Sequence, residues 1–192
     1  MRCGWYLAVA VLALSGCGRI WFDATGLAGG DGSDGGLPGN DATGVPLTIL
    51  IEAEDFVAAT NPGGNSWVFM TDVPGYSGAG FMLATPDSAT CLAAPAGCPS
   101  MSYEYTIPLD QQYNFFIRVY AEDADASTLF FGDEDDVDEE LTATQLDAWH
   151  WVIYNGVFLL GAGGHHAAVW MQDGGLRFDA LAITTLATPP AI

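Results

Sequence analysis

The sequence predicts an all-β sandwich, and three observations lead to that prediction. Its apolar segments are short, rich in Val, Ile, Phe, Tyr and Trp, and separated by Pro, Gly, Asp and Asn. The segment Tyr103–Ile107 alternates in polarity, as a half-buried antiparallel strand does. No stretch sustains a helical period, because the segment around residues 142–148 is too brief to count. Many short strands with turn residues between them are typical of two packed antiparallel sheets.

The predicted strands belong to one domain, residues 47–192, which is long enough to enclose a hydrophobic core. In chain order these strands are Leu47–Glu54, Trp67–Thr71, Gly80–Ala84, Ser102–Ile107, Tyr113–Ala121, Thr128–Gly132, Trp151–Leu159, His165–Met171 and Leu176–Thr184.

The first sixteen residues have the pattern of a bacterial export signal. Arg2 supplies a positive charge, and the apolar run at 7–14 is shorter than the roughly 20 residues that span a bilayer. The segment Leu14-Ser15-Gly16-Cys17 resembles a lipobox, whose cysteine is lipidated; an ordinary signal peptide with an incidental cysteine is the alternative. Gly18 favours sorting to the outer membrane. We expect an exported protein that is attached to the cell envelope only through lipid on Cys17.

Between signal and domain, residues 17–46 are rich in glycine and aspartate and short of apolar side chains. Such a segment cannot bury enough surface to fold, so we expect a flexible tether of roughly 25–30 Å.

The domain contains two cysteines, Cys91 and Cys98, which flank the turn-forming sequence Leu-Ala-Ala-Pro-Ala-Gly. In an oxidising compartment we expect a disulfide across this loop. A zinc site is not supported, because two cysteines without neighbouring histidines cannot complete a tetrahedral shell.

The chain is strongly acidic, with a formal net charge of −20, four arginines and no lysine. This composition excludes nucleic acid as a partner and disfavours anionic ligands unless a cation bridges them. The densest acidic run, Asp133–Glu140, lacks the glycine and the spacing of an EF-hand loop. We interpret this run as a solvated loop, with a weak divalent-cation site as the alternative.

Two carboxylates stand two residues apart in Ile51-Glu52-Ala53-Glu54, and therefore on one face of a predicted strand. A third, Asp179, lies on the last predicted strand. The repulsion between like charges on one strand face is relieved by water, by a basic residue or by a cation. Because basic residues are scarce, we favour a bound cation; the alternative is the solvated face of an edge strand.

Three segments of the chain resemble carbohydrate-binding modules of families 6 and 35. They are Glu-Ala-Glu at 52–54, Leu-Gly-Ala-Gly-Gly-His at 160–165, and Gly-Leu-Arg-Phe-Asp-Ala-Leu-Ala-Ile-Thr at 175–184. The resemblance covers roughly residues 47–186. It implies a jelly-roll β-sandwich of the galactose-binding-like type. It also implies a structural calcium ion whose side-chain ligands are Glu52, Glu54 and Asp179.

The same resemblance implies a glycan site formed by aromatic side chains from loops. It assigns the sugar-contacting roles to Trp149 and Tyr76, and it assigns a packing role to Trp151. Those families often place an asparagine that contacts the sugar where this chain has Arg177. Its guanidinium could pair with a uronate carboxylate, or it could only neutralise nearby acids.

Catalysis is not supported by the sequence. None of the three histidines, His150, His165 and His166, lies beside a Ser or Cys nucleophile in a recognisable motif. The first hypothesis is a membrane-anchored, non-catalytic carbohydrate-binding lipoprotein with a structural calcium site. The alternative is a structural or adhesive surface lipoprotein whose sandwich no longer binds sugar.

Overall fold

A computed structural model describes residues 46–92, 97–133, 139–155 and 158–192. The predicted signal peptide, the lipidation at Cys17 and nearly all of the predicted tether lie outside these ranges, as does most of the acidic run. In the described residues, no helix has the length and apolar character needed to cross a bilayer.

Within these ranges the regular structure is almost entirely strand, which confirms the predicted all-β class. The strands are β1 Thr48–Glu52, β2 Ala58–Thr60, β3 Ser66–Met70, β4 Phe81–Thr85, β5 Ser100–Ile107, β6 Gln111–Tyr120, β7 Thr128–Asp133, β8 Glu139–Thr142, β9 His150–Ile153, β10 Phe158–Leu160, β11 Gly163–Met171 and β12 Arg177–Thr184. Short 3-10 helices cover Ala53–Asp55, Pro62–Gly64 and Ala124–Ala126.

One antiparallel sheet is built around β12, which pairs along its length with β6. On its other side, β12 pairs first with β4 through Arg177 and Phe178, and then with β1 from Ala180 onward. β1 and β4 therefore follow each other along one edge of β12. β9 and β10 lie along the outer edge of β6, and β3 extends the sheet beyond β4.

The second antiparallel sheet has the order β2-β5-β11-β7-β8 in the described residues. Its inner face packs on the inner face of the first sheet through one hydrophobic core. In the longer strands such as β5, alternating residues enter that core, as the period of two requires. Fully buried examples from both sheets are Met101, Tyr103, Ile117, Val169 and Leu181.

The predicted disulfide between Cys91 and Cys98 is present. Both cysteines pack on Ala168 and Trp170, which point to the outer face of the second sheet. Trp170 is only 8% exposed as a result. The bridge thus covers a tryptophan that would otherwise face solvent.

Three features of the predicted strand pattern are wrong in detail. β1 ends at Glu52, and Glu54 lies in the 3-10 helix that follows. The predicted strand Trp151–Leu159 is two strands, β9 and β10. β2 and β8 were not predicted, because β2 is exposed throughout and β8 begins inside the acidic run. Both are held by pairing with a neighbouring strand rather than by their own apolar pattern.

Candidate functional site

Three carboxylates meet where β12 changes its neighbour from β4 to β1. The pairing of β12 with β6 shifts register between Phe178 and Ala180, so Asp179 lies at a bulge. Its side chain is fully buried. Ala180 pairs with Glu52, the last residue of β1, and Glu54 follows in the next turn of chain. The topology therefore brings the three acids of the predicted calcium site to one place.

The loop between β3 and β4 is held by these carboxylates. The Ser77 hydroxyl donates to Glu52 Oε2 at 2.6 Å and to Asp179 Oδ2 at 3.1 Å. The Ser77 backbone N–H donates to Asp179, and the Ala79 N–H donates to Glu54 Oε1 at 2.6 Å. Loop and acids thus form one hydrogen-bonded unit.

Gly78 allows this close approach. Its φ of +60° lies in the left-handed region, which favours glycine. A Cβ atom at this position would lie 2.7 Å from Glu54 Oε1 and 2.9 Å from Glu52 Cδ. Any side chain here would push the two carboxylates away from the loop.

Asp179 also forms an ion pair with Arg118, a residue that the sequence analysis did not assign to the site. The second guanidinium nitrogen, Nη2, donates to the Gly75 carbonyl oxygen at 2.9 Å, so Arg118 ties β6 to the same loop. Burial raises the pKa of Asp179 above its ordinary value, and the hydrogen bonds from Arg118 and Ser77 partly offset that rise. Burial likewise raises the pKa of Glu52, and Asp179 and Glu54 add to the rise by charge repulsion. The cluster is thus a place where negative charge is costly.

The donor chemistry of the cluster suits a hard cation, which prefers carboxylate oxygens. Glu54 Oε2 is buried and has no hydrogen-bond partner among the described residues. Asp179, however, is engaged by Arg118 and Ser77. In this arrangement no group of three or more Asp, Glu, His or Cys side chains from the described residues could hold a metal ion.

Beside the carboxylates lies a group of aromatic rings that we term the aromatic edge: Tyr76, Phe81, Trp149 and Tyr120. Phe81 is fully buried beneath the other rings; its centroid lies 5.9 Å from that of Tyr76 and 5.3 Å from that of Trp149. Tyr120 also contacts Trp149, with ring centroids 5.4 Å apart. Tyr76, Trp149 and Tyr120 are each half-buried. The two residues predicted to contact sugar therefore share one surface, although no described contact joins their rings directly.

The indole of Trp149 is held on several sides. Its Nε1–H donates to the Pro74 carbonyl oxygen at 3.1 Å, and the guanidinium of Arg118 lies 5.5 Å from its ring centroid. Gly75 approaches it so closely that a Cβ there would lie 3.2 Å from the indole. Arg118 thus links the carboxylate cluster to the aromatic edge.

Arg177 extends the same surface and is already engaged. Its Nη2 donates to Glu122 Oε1 at 2.6 Å and its Nη1 donates to the Gly175 carbonyl oxygen at 3.2 Å. Its guanidinium lies 5.3 Å from the ring centroid of Tyr120. The groove beside it, about 350 Å³, is lined by further acids, including Asp87 and Asp125. A uronate would have to displace Glu122 and face these carboxylates.

Trp151 does not take the packing role that the resemblance assigns to it. It is half-buried and belongs to neither hydrophobic cluster of the described residues, whereas its neighbour Val152 is in the core. In β9 the side chains on either side of it, His150 and Val152, are buried, so Trp151 faces the outer side of the sheet.

Two histidines have contacts that account for them structurally. His150 is buried, and its Nε2 accepts the backbone N–H groups of Thr144 and Gln145 at 3.0 and 3.3 Å. The His165 ring stacks on Tyr105 with centroids 5.6 Å apart.

No protein-family model and no curated protein matches the sequence, but solved structures match its fold. A family 35 carbohydrate-binding module from Clostridium thermocellum is 16% identical with a TM-score of 0.54; the match covers 71% of this chain and 97% of the module. The C-terminal family 6 module of a laminarinase from Zobellia galactanivorans is 18% identical with a TM-score of 0.51, over 72% of this chain and all of that one. The chain has the fold of these carbohydrate-binding modules. The fold implied by the sequence resemblance is therefore confirmed.

A longer enzyme also matches. The Podospora anserina β-(1,4)-mannanase, which carries a family 35 module, is 19% identical with a TM-score of 0.55 over 74% of this chain. The match spans only 29% of that enzyme. What these structures share with the present chain is the fold.

Proposed function

We propose that this protein is a non-catalytic carbohydrate-binding protein whose glycan site is the aromatic edge. The observation that carries the proposal is the fixed, half-buried indole of Trp149, with the half-buried ring of Tyr76 on the same surface. A pyranose ring has apolar C–H faces that suit an aromatic surface, while its hydroxyl groups bond at the rim. A ring that is held before binding loses little conformational entropy when the ligand arrives.

The fold supports the same proposal. The solved structures with this fold include modules named as carbohydrate-binding, among them modules of a mannanase and of a laminarinase. β-1,4-Mannan and laminarin are therefore the first ligands to test. A glycan that contains uronate is a less favourable ligand, because Arg177 is already paired with Glu122 and the net charge of −20 repels anions.

The proposal also includes a bound calcium ion. Glu54 supplies a buried oxygen without a partner, and Glu52 lies beside it across Gly78. A cation held by these two and by Asp179 would relieve the charge repulsion that raises the pKa of Glu52. Asp179 would exchange some of its bonding to Ser77 or Arg118 for the metal. The ion would be structural, fixing the loop that carries Tyr76.

The N-terminal segment completes the proposal. The charged start, the short apolar run and the lipobox-like segment ending in Cys17 support export and lipidation, with anchoring to the outer membrane. The glycine- and aspartate-rich residues 17–46 would then carry the domain away from the membrane surface. Labelling with a fatty-acid analogue, lost in Cys17→Ala, tests lipidation separately from glycan binding.

The binding proposal is tested by affinity electrophoresis of the full-length protein in gels containing galactomannan or laminarin, together with a glycan array. Wild type and Trp149→Ala are compared, with and without calcium. Retardation of the wild type that the variant loses supports the proposal and locates the site. A folded wild type that binds no glycan contradicts it and favours a structural or adhesive lipoprotein instead.

A further inference from the structure

A second surface of the molecule continues from the aromatic edge along β9. This strand lies at the outer edge of β6 in the first sheet, and β8 lies at the edge of the second sheet. Between the two strands runs an open groove of about 410 Å³. Its lining includes Trp151 and Ile153 from β9 and Glu140 and Thr142 from β8.

Trp151 lines this groove and has no role in the proposed function. Its side chain is half-buried, and among the described residues its ring makes no aromatic, cation–π or hydrogen-bond contact. Ile153, two residues further, is 43% exposed. Scattered apolar residues on a surface need no explanation, but a tryptophan and an isoleucine lining one groove form a continuous apolar strip.

The strip is continuous with the proposed glycan site. Arg118 is the cross-strand partner of Trp151, so both side chains lie on the outer face of the sheet. The guanidinium of Arg118 also lies over the ring of Trp149. Two residues of extended chain advance about 7 Å, so Trp151 and Ile153 lie at that spacing in β9, and Trp149 stands just before the strand begins.

The opposite wall of the groove is polar. Glu139 accepts hydrogen bonds from the backbone N–H of Asn155 at 3.1 Å and from its side-chain amide at 3.3 Å. Glu140 accepts from the side-chain amide of Gln172 at 2.7 Å. These contacts fix carboxylate acceptors along the rim, where sugar hydroxyls can donate. The same carboxylates would repel an anionic glycan.

We propose that the groove holds further sugar units of the glycan that is bound at Trp149. The protein would then bind an uncharged polysaccharide at internal sugar units rather than at the end of the polysaccharide. The inference rests on the proposed function and specifies its ligand. Trp149 contacts one sugar unit of the glycan, and Trp151 contacts another unit further along it. Ile153 extends the apolar strip, and the carboxylates of β8 accept hydroxyl hydrogen bonds at the rim.

The test is a calorimetric titration of the full-length protein with mannobiose, mannohexaose, laminaribiose and laminarihexaose. We expect the wild type to bind one of the hexaoses at least roughly tenfold more tightly than its biose. Trp151→Ala should lower hexaose affinity by roughly tenfold, about 1.4 kcal/mol, and leave biose affinity unchanged. Trp149→Ala should lower both, and Trp151→Phe should keep hexaose binding because it retains an aromatic ring.

Two further variants make the outcome decisive. Val68→Ala on β3, 40% exposed at the opposite edge of the sheet, should bind both ligands as the wild type does. Ile153→Ala, a small change at an exposed position, should weaken only hexaose binding, and it keeps the test open if Trp151→Ala does not fold. If Trp151→Ala and Ile153→Ala bind the hexaose like the wild type while Trp149→Ala does not, the extended site is wrong and the proposed function stands. If the wild type binds none of the four sugars and no glycan of the array, both are wrong.

Discussion

Replacing Arg118 should destabilise the protein far more than replacing Arg177, although their surroundings match closely. Each guanidinium forms one ion pair, donates to one glycine carbonyl and lies over one aromatic ring at a similar distance. The difference is in the carboxylate partner. The side chain of Asp179 is fully buried, whereas that of Glu122 is 58% exposed.

The size of the expected loss of stability follows from the burial of Asp179. Arg118→Met leaves Asp179 as a buried charge without its cation, and such losses cost about 3–5 kcal/mol. Because Ser77 still donates two hydrogen bonds to Asp179, we take the lower value, about 3 kcal/mol. Arg177→Met leaves Glu122 free to rehydrate, and exposed pairs contribute about 1 kcal/mol or less. The ring and carbonyl contacts are lost in both variants, so their contributions largely cancel in the comparison.

The assay is thermal and urea unfolding of the full-length protein with chelator present, so that bound calcium cannot replace the lost cation. We expect the midpoint of Arg118→Met to lie about 4–8 °C below that of Arg177→Met. Adding Asp179→Asn to Arg118→Met should recover much of the loss, because the uncompensated charge is removed. Equal midpoints for the two arginine variants, or no recovery in the double variant, would refute the argument.

Three other predictions follow from the same site and from the disulfide. Chelation should lower the melting temperature of the wild type by several degrees, since a hundredfold excess of calcium over its dissociation constant stabilises by about 2.7 kcal/mol. The melting temperature of Asp179→Asn should not respond to chelator, and a wild type that does not respond either would contradict the calcium proposal. Gly78→Ala should cost about 1 kcal/mol more than Gly64→Ala in urea unfolding, because both have positive φ but only Gly78 abuts carboxylates; equal losses would contradict this. Replacing Cys91 and Cys98 with serine should cost about 2.5 kcal/mol, or 5–10 °C in melting temperature, and an unchanged melting temperature would mean that the bridge contributes little.

Much of the fold could be predicted from the sequence because its strands carry the signals that packing requires. The alternation in Tyr103–Ile107 reflects a strand with one face in the core. The segment at 175–184 is buried on both faces and reads as an apolar run in which Arg177 and Asp179 are the charged residues. Strands such as β2 carry no such pattern, since they are held by backbone pairing and by polar contacts such as that of Thr60 with Ser100, not by apolar burial.

The candidate site was only partly predictable. The acids Glu52, Glu54 and Asp179 were found because their spacing is unusual and matches a family motif. Arg118 was missed because its role depends on a register shift in β12, which places Asp179 opposite β6 and which no local pattern reveals. One signal was present, however: few basic residues were available to balance buried acids, so each arginine of the domain was a candidate partner.

The family resemblance assigned Trp151 to packing, and the sequence could not correct it, because alternation gives the relative orientation of side chains but not which face is inside. That choice is fixed by Val152 and His150, whose burial turns both tryptophans outward. An edge strand with a half-buried ring on its outer face can be recognised only once the sheet order is known.

The central claim is that the aromatic edge is where glycan binds, and indole N–H signals of the ¹⁵N-labelled full-length protein test it most directly. The signal of Trp149, assigned with Trp149→Phe, should shift when mannohexaose or laminarihexaose is added. The signals of Trp67 and Trp170 should not move, because the first ring is buried against Pro99 and the second lies beneath the disulfide. A glycan that binds while the Trp149 signal stays in place would contradict the account.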